Sequence, residues 1–282
     1  MRNGATLQFS FDEKKFSQCQ LSILLSNNKI AFSIFNTADN QYIFFKQKFL
    51  PGLTSLAQKL RLLADSDSLL QKQFRNINIV LKADANVLIP AELFTMETAQ
   101  SFAKSTFGEQ NDKILKANYL KDTLQVVNLF LADEELDKVV AERFADAKMF
   151  HITTPLIYSA LATNKGKTEP ELYVELSGEN AWVVLLQEQK LLFCNHFGFA
   201  GNEDLTQRLL NLYSHLNLNR RKTPLILSGN IDSDGDNSHF LNKTFKEVYS
   251  ADLPDVFSYA AHLRVLLTHE YCTFLNLPLC ES

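Results

Sequence analysis

An internal repeat constrains this sequence more than any other feature. Residues 21–35 read LSILLSNNKIAFSIF and residues 172–186 read LYVELSGENAWVVLL, and the two segments align without a gap. In both, two apolar runs flank a short polar turn, and a third apolar run, an amphipathic segment and a fourth run follow. Because a repeated order of elements requires the same packing twice, the pattern predicts two β-β-β-α-β units. Two unrelated α/β halves are the alternative, since short strands resemble one another by chance.

The repeat predicts the elements of two lobes and of a segment between them. The first unit is predicted to contain strands at 21–25, 30–35, 42–49 and 77–82 and a helix over 53–63. The second is predicted to contain strands at 172–176, 181–187, 190–199 and 223–228 and a helix over 202–216. A strand, a helix, two strands and a helix between 87 and 144 predict an inserted α+β subdomain at about 86–148. We therefore divide the chain into a first lobe at 1–163, which carries the subdomain, and a second lobe at 164–282.

Two local patterns give further predictions. Asp133 precedes a segment with apolar residues at helical spacing, so its carboxylate is predicted to cap that helix by accepting from free amides of the first turn. Near the end of the chain, Val256, Tyr259, Ala260, Leu263 and Leu267 recur at helical spacing and predict a last helix.

Composition limits the class of protein. The chain has 282 residues with a net charge of −4, which argues against nucleic acid as the main partner. Its four cysteines show no C-x-x-C spacing, so neither a zinc knuckle nor a thioredoxin motif is present, and scattered cysteines fit a reducing compartment. No apolar run approaches the roughly 20 residues that span a bilayer, and the first residues lack the apolar core of a signal peptide. We expect a cytoplasmic protein with no membrane span.

The repeated unit resembles the plan of the actin-like ATPases, which belong to the ribonuclease-H-like folds. The segment VVNLFLADEELDKVVAERF at 126–144 is similar to the inserted subdomain of the bacterial cell-division and pilus-assembly members, and GFAGNEDLTQRLL at 198–210 is similar to their Gly-rich turn before a helix. More narrowly, the chain resembles a bacterial family of uncharacterised proteins with an actin-like fold. That resemblance rests on LLFCNHFGFAGNEDL at 191–205, PLILSGNI at 224–231 and TFLNLPLCE at 273–281. It implies an α/β fold of two actin-like lobes with a small inserted subdomain, and no assigned activity.

The resemblance also shows which residues of the nucleotide site are replaced in this chain. In actin-like ATPases a hairpin in each lobe grips a phosphate with glycine backbone amides, and a strand Asp positions magnesium-bound water. The first hairpin of this chain has Leu24 at the Asp position and Ser26 at the Gly position. The second has Glu175 and Ser177, and its Gly178 comes one place late. We expect no ATP hydrolysis from these residues.

Six residues remain as a candidate nucleotide cleft. They are Glu175, Ser177 and Gly178 of the second hairpin and Ser228, Gly229 and Asn230, whose turn resembles the one that carries the base in the superfamily. A strand that ends in Gly before a loop is also common in any α/β protein. The cofactor prediction is therefore none, with ATP and magnesium as the alternative.

A second candidate site is a surface for a partner. Phe197 and Phe199 share one face of a strand, because side chains two apart point the same way. They either pack in the core or form an apolar edge for a partner, which Asn195 would then rim.

Two other motifs favour simple structural interpretations over a binding site. Asp232, Asp234 and Asp236 imitate the start of a calcium loop, but Asn237 and Lys243 stand where that loop needs Gly and Glu, so a solvated acidic loop is favoured. The basic run Asn219-Arg220-Arg221-Lys222 is predicted to cap a helix dipole. A phosphate-binding role would require further basic residues beside it.

The sequence favours a non-catalytic binding or scaffold protein, with a protein partner or a second copy as the expected ligand. A surviving nucleotide binder with weak or no hydrolysis is the alternative. Neither a G-x-S-x-G elbow nor an H-E-x-x-H motif is present to favour a different hydrolase.

Overall fold

The computed structural model describes residues 13–27, 29–50, 52, 55–83, 86–109, 111–120, 124–231, 236–263 and 269–281. The strands are β1 (Cys19–Leu25), β2 (Lys29–Asn36), β3 (Gln41–Phe49), β4 (Asn76–Leu81), β5 (Asn86–Pro90), β6 (Lys113–Leu120), β7 (Val126–Asp133), β8 (Lys148–His151), β9 (Glu171–Ser177), β10 (Asn180–Gln187), β11 (Lys190–Gly198), β12 (Leu225–Gly229), β13 (Val248–Ser250) and β14 (Ser258–Tyr259). The helices are α1 (Leu56–Ser66), α2 (Met96–Phe107), α3 (Glu134–Arg143), α4 (Thr153–Thr163), α5 (Gly201–His215), α6 (Asp236–Thr244) and α7 (Cys272–Leu275).

The two large sheets repeat one strand order. The first runs β14-β3-β2-β1-β4-β8 and the second β11-β10-β9-β12-β13, so β3-β2-β1-β4 corresponds to β11-β10-β9-β12. In both sheets the first three of these strands are antiparallel and the fourth is parallel to its neighbour. A register shift falls between Ile34 and Phe35 in one sheet and between Leu185 and Leu186 in the other. These are equivalent positions of the aligned segments, so the predicted duplication extends to an irregularity of the backbone.

Each unit buries its helix on the outer face of its own sheet. In the first, α1 presents Ala57, Leu60 and Leu63 at helical spacing to a core that contains Leu21 and Ile23 of β1. Ser55 caps α1, because its side chain accepts from the backbone N–H of Gln58. In the second unit, α5 packs on a separate core of the second sheet. Burial of each such leucine contributes about 2 kcal/mol.

The inner faces of both sheets share one core. It combines residues of β1 and β4, β9 and β10, α4 and the last segment of the chain, and its members include Leu24, Val80, Tyr173, Trp182, Val184, Leu156, Ile157 and Phe274. Residues 271–277 are all buried there. The side chain of Tyr42 in β3 donates to the carbonyl of Leu275 at 2.6 Å, which fixes this segment against the first sheet.

The subdomain is a third sheet, with strand order β5-β7-β6, flanked by α2 and α3. Ile89, Ala99, Val127 and Leu129 form a small core of its own. The α+β character predicted for this segment is therefore present. The division of the chain at 163 and 164 stays a prediction.

Two local predictions are wrong. Asp133 precedes α3 but makes no capping hydrogen bond, because it lies opposite Lys113 in the β6–β7 pair and forms an ion pair with it. The predicted last helix is absent from the described residues 256–263, where β14 adds to the edge of the first sheet beside β3, and Leu267 lies outside the described residues. The apolar residues of this segment serve aromatic packing instead, since the ring of Tyr259 stacks on that of Tyr42 at 5.6 Å.

Candidate functional site: a buried ion pair between the two sheets

Glu175 lies on β9 in the middle of the second sheet and faces the core between the sheets. It is paired with Trp182 of β10 on one side and Ser228 of β12 on the other, and its exposed fraction is 1%. An ionised carboxylate at this depth is stable only when its oxygens receive hydrogen bonds and a cation is near.

Both oxygens of Glu175 are engaged by side chains of this chain. The ammonium of Lys82, which follows β4 of the first sheet, donates to Oε1 at 2.6 Å. The hydroxyls of Ser228 and Thr273 donate to Oε2 at 2.5 and 2.7 Å. The side chains of Lys82 and Glu175 are 5% and 1% exposed, so water screens the pair little. This cluster joins the first sheet, the second sheet and the C-terminal segment at one point.

The turn after Ser228 packs directly on the second hairpin. Gly229 has φ of +85°, and a Cβ there would lie 2.1 Å from the carbonyl oxygen of Leu176 and 2.8 Å from Oε1 of Glu175. The backbone N–H of Asn230 donates to the same carbonyl at 2.8 Å. Glycine is required here by the close approach of two backbones as well as by its left-handed conformation.

The structure therefore brings together some of the six candidate cleft residues. Glu175 and Ser228 are in contact and Gly229 is beside them. Ser177 is half-buried, and Gly178 lies exposed in the turn between β9 and β10. The side chain of Asn230 is exposed. Whether any of them binds a nucleotide stays a prediction.

A second connection between the sheets adjoins the ion pair. The carbonyl of Ala83 accepts from Nε1 of Trp182 at 3.1 Å and contacts Nε2 of His151 at 3.0 Å. A carbonyl can only accept, so Nε2 of His151 carries the proton, and Nδ1 accepts from the backbone N–H of Thr153 at 3.2 Å. Burial lowers the pKa of His151 to about 3. This histidine is therefore a neutral structural group.

Two other lysines of the first lobe, one in α1 and one in β2, also bind groups of this chain. Lys59 of α1 is fully buried and donates to the carbonyl of Asn27 in the first hairpin turn. Lys29 forms an ion pair with Glu270, and its ammonium lies 5.7 Å from the ring centre of Tyr271. Burial, followed by the charge of Lys82, lowers the pKa of Lys29 to about 8.

These residues do not fit the phosphates and the cation of a nucleotide. Leu24 is 3% exposed and packs in the shared core, where it offers no oxygen to a metal or water. Glu175 has no oxygen without a donor, and Lys82, the cation nearest to it, already neutralises its charge. Among the described residues no group of three or more metal-ligating side chains is arranged to hold a metal ion. Asp232 and Asp234 of the calcium-like motif lie outside those residues.

The candidate partner residues lie on the edge of the second sheet. β11 pairs with β10 on one side, and Asn195 is exposed on it. Phe199 is 8% exposed in the core beneath α5, and Phe197 is half-buried against the same core. Both phenylalanine rings therefore pack in or against the core of the second sheet, as one of the two interpretations predicts. The use of Asn195 and these rings as a partner site stays a prediction.

A groove of about 960 Å³ lies between the first lobe and the subdomain. It is lined by the ends of β4 and β7 and the starts of α1 and α3, among other segments, and every lining residue falls within 27–138. Lys82 lies in its wall and also pairs with Glu175 of the second sheet, so the groove adjoins the buried ion pair. Sequence reasoning missed Lys82 and Thr273, because they lie 93 and 98 residues from Glu175 and no local pattern joins either of them to it.

Comparison with solved structures identifies the fold. A protein of unknown function with an actin-like ATPase fold from Bacteroides thetaiotaomicron VPI-5482 superposes with a TM-score of 0.79 at 23% identity, covering 86% of this chain and 94% of that chain. The PilM–PilN type IV pilus biogenesis complex gives a TM-score of 0.65 at 13% identity, covering 92% and 97%. The ethanolamine utilization protein EutJ from Carboxydothermus hydrogenoformans gives 0.51 at 8%, covering 93% and 89%. The protein therefore has the actin-like ATPase fold that the sequence predicts.

Comparison with curated proteins finds no match. In the described part of the chain, no helix combines the length and the apolar character that crossing a membrane requires. Residues 8–248 match a family of proteins of unknown function, DUF3822. The match spans well over half of the sequence, and the chain therefore belongs to the DUF3822 family.

Proposed function

We propose that this protein is a non-catalytic binding or scaffold protein, a pseudo-ATPase of bacterial cytoplasm that docks a protein partner or a second copy of itself. One observation carries the proposal: side chains of the chain itself occupy the corner where an actin-like ATPase would grip phosphate. Lys82 stands opposite Glu175 as a tethered cation, and Ser228 and Thr273 supply the remaining hydrogen bonds. An enzyme of this fold would need those groups free for its ligand.

Support for a protein partner comes from the fold and from the available surfaces. The PilM–PilN structure is a complex of two proteins, one of which has this fold. The groove between the first lobe and the subdomain has the volume of a binding cleft. Its wall carries Lys113 and Lys138 beside Asp133 and Glu134, so it would suit a segment with polar groups of both signs. The exposed edge strand β11, with Asn195, is a second surface for docking.

The alternative is a nucleotide binder that uses the Ser228–Asn230 turn. A thermal shift assay with millimolar ATP or ADP and magnesium separates the two. A ligand at a hundredfold excess over its Kd stabilises the folded state by about 2.7 kcal/mol, which raises the melting temperature by a few degrees. We expect no shift. A rise of several degrees that Ser228→Ala abolishes would favour the nucleotide binder.

The partner is tested by photo-crosslinking. A photoreactive residue at Lys138 in the groove or at Leu192 on β11 should capture one defined protein, or a second copy, from a native extract. The same residue at Lys165, which is exposed and away from both surfaces in sequence, is the matched control. A monomer by light scattering that gives the same products from all three positions would contradict the proposal.

A further inference from the structure

A group of five cations at one end of the second lobe is not explained by the actin-like fold or by the buried ion pair. The group, which we call the basic patch, consists of Arg220, Arg221, Lys222, Lys243 and Lys246. All five side chains are exposed. None of them forms an ion pair with any residue that the structure describes, whereas many cations elsewhere do.

Backbone hydrogen bonds hold the patch together. Between α5 and β12, the side chain of Asn219 accepts from the N–H of Arg221 at 2.9 Å, and its carbonyl accepts from the N–H of Lys222 at 2.9 Å. These hydrogen bonds close a turn that carries three consecutive cations. The N–H of Lys246 donates to the carbonyl of Arg220 at 3.1 Å, which brings the end of α6 beside the turn. The sequence run therefore has the basic neighbours that a binding role requires.

The described segment that carries the turn, residues 205–231, contains no carboxylate side chain. No Asp or Glu occurs between Asp204 and Asp232, and Arg208, the other cation of that stretch, is paired with Asp204. Glu247 is the carboxylate next to the patch, and it is half-buried. Five exposed cations are thus grouped in a chain whose net charge is −4. Like charges held together without partners repel one another, so the arrangement costs stability unless an anion binds it.

Helix capping does not account for the three cations of the turn. The last carbonyls of α5 are satisfied by backbone donors, since the N–H groups of Leu216 and Leu218 donate to Leu212 and Tyr213 at 2.9 and 2.8 Å. The helix dipole acts within the last turn, and Arg220 lies beyond it. Lys243 falls in the last turn of α6 and can serve its dipole, so the remaining four charges are available to a ligand.

We propose that the basic patch binds the anionic headgroups of a membrane surface and holds the protein there as a peripheral protein. Its cations come from three places: the turn before β12, the last turn of α6 and the segment just after α6. Both arginine and lysine are present. A layer of mobile headgroups accepts such a distribution, because it offers many phosphates without fixed positions. Each Lys or Arg near an anionic surface strengthens binding by about fivefold.

The test is sedimentation of the full-length protein with vesicles of phosphatidylcholine, with and without phosphatidylglycerol. The wild-type protein should bind the anionic vesicles at low salt and release at high salt, because the interaction is screened. The variant Arg220→Gln/Arg221→Gln/Lys222→Gln should bind about a hundredfold more weakly, as three charges are lost. A control that removes three exposed lysines elsewhere, Lys148→Gln/Lys165→Gln/Lys190→Gln, should bind within a few fold of wild type.

Three results would overturn the proposal. The first is no sedimentation of wild type with anionic vesicles, and the second is an equal loss in both triple variants. The third is binding to polyglutamate or to single-stranded RNA without binding to vesicles, which would assign the patch to an acidic protein or a nucleic acid. Melting temperatures of the variants, expected to equal or exceed that of wild type because repulsion is relieved, separate loss of binding from loss of folding.

Discussion

Breaking the ion pair between Lys82 and Glu175 should destabilise the protein severely. The variant Lys82→Met leaves a carboxylate at 1% exposure with two hydroxyl donors and without the cation that bonds to it. Removing one partner of a buried ion pair lowers the free energy of unfolding by about 3–5 kcal/mol. With a urea dependence of about 3 kcal/mol per molar, the unfolding midpoint should fall by about 1–1.7 M.

The double variant Lys82→Met/Glu175→Leu separates the loss of a partner from the loss of the pair. Replacing both groups by apolar ones removes the uncompensated charge, and what remains is the cost of the hydroxyls of Ser228 and Thr273, about 1–3 kcal/mol. The double variant should therefore be more stable than Lys82→Met. Together with the single variant Glu175→Leu it completes a double-mutant cycle, and the deviation from additivity in that cycle is the coupling between the two residues.

The fluorescence of Trp182 reports on this unfolding directly. It is the one tryptophan of the sequence, it pairs with Glu175 across β9 and β10, and its indole N–H bonds to Ala83. Lys104→Met is the matched control, because Lys104 and Glu109 form an ion pair with side chains 71% and 74% exposed. Exposed pairs contribute little. If Lys82→Met shifts the midpoint no more than Lys104→Met, the reasoning about the buried pair is refuted.

Two further predictions concern glycine and histidine. Gly229→Ala should lower the free energy of unfolding by at least about 3 kcal/mol, because its Cβ would clash with Leu176 and its φ is strained for alanine. Gly178→Ala, with φ of +59° and open space around it, should lower the same quantity by about 1 kcal/mol. Equal losses of stability in thermal unfolding would contradict the close approach of Gly229 to Leu176. His151 has a pKa of about 3 when folded and about 6.5 when unfolded, so the unfolded state gains its proton first and stability falls as pH drops from about 6.5 towards 3. The decline should be shallower in His151→Gln by up to about 1.4 kcal/mol per pH unit, measured by urea unfolding between those values. Parallel curves would show that the pKa of His151 is the same in the folded and unfolded states, which would contradict the prediction.

The sequence was informative where the signal is local or periodic. Aligned segments at 21–35 and 172–186 predicted both sheets, because strand pairing follows from hydrophobic runs and turns that recur in order. The positions of Glu175 and Ser228 were found through the resemblance, since equivalent strands place equivalent side chains at the cleft.

The rest of the candidate site depends on contacts between distant residues. Lys82 looks like the polar end of a strand, and Thr273 belongs to a short closing segment, so neither predicts a bond to Glu175. The strand at Ser258–Tyr259 was missed for the same reason. Its apolar spacing imitates a helix, but the free edge of β3 and the ring of Tyr42 decide its structure.

The most direct measurement of the central claim is a crystal structure grown with millimolar magnesium and a non-hydrolysable ATP analogue. The account predicts the ammonium of Lys82 within about 3 Å of Glu175, a distance of 2.6 Å in the present structure, with Ser228 and Thr273 on the other oxygen and no nucleotide bound there. Phosphate density beside Glu175, with Lys82 turned away from the carboxylate, would contradict it.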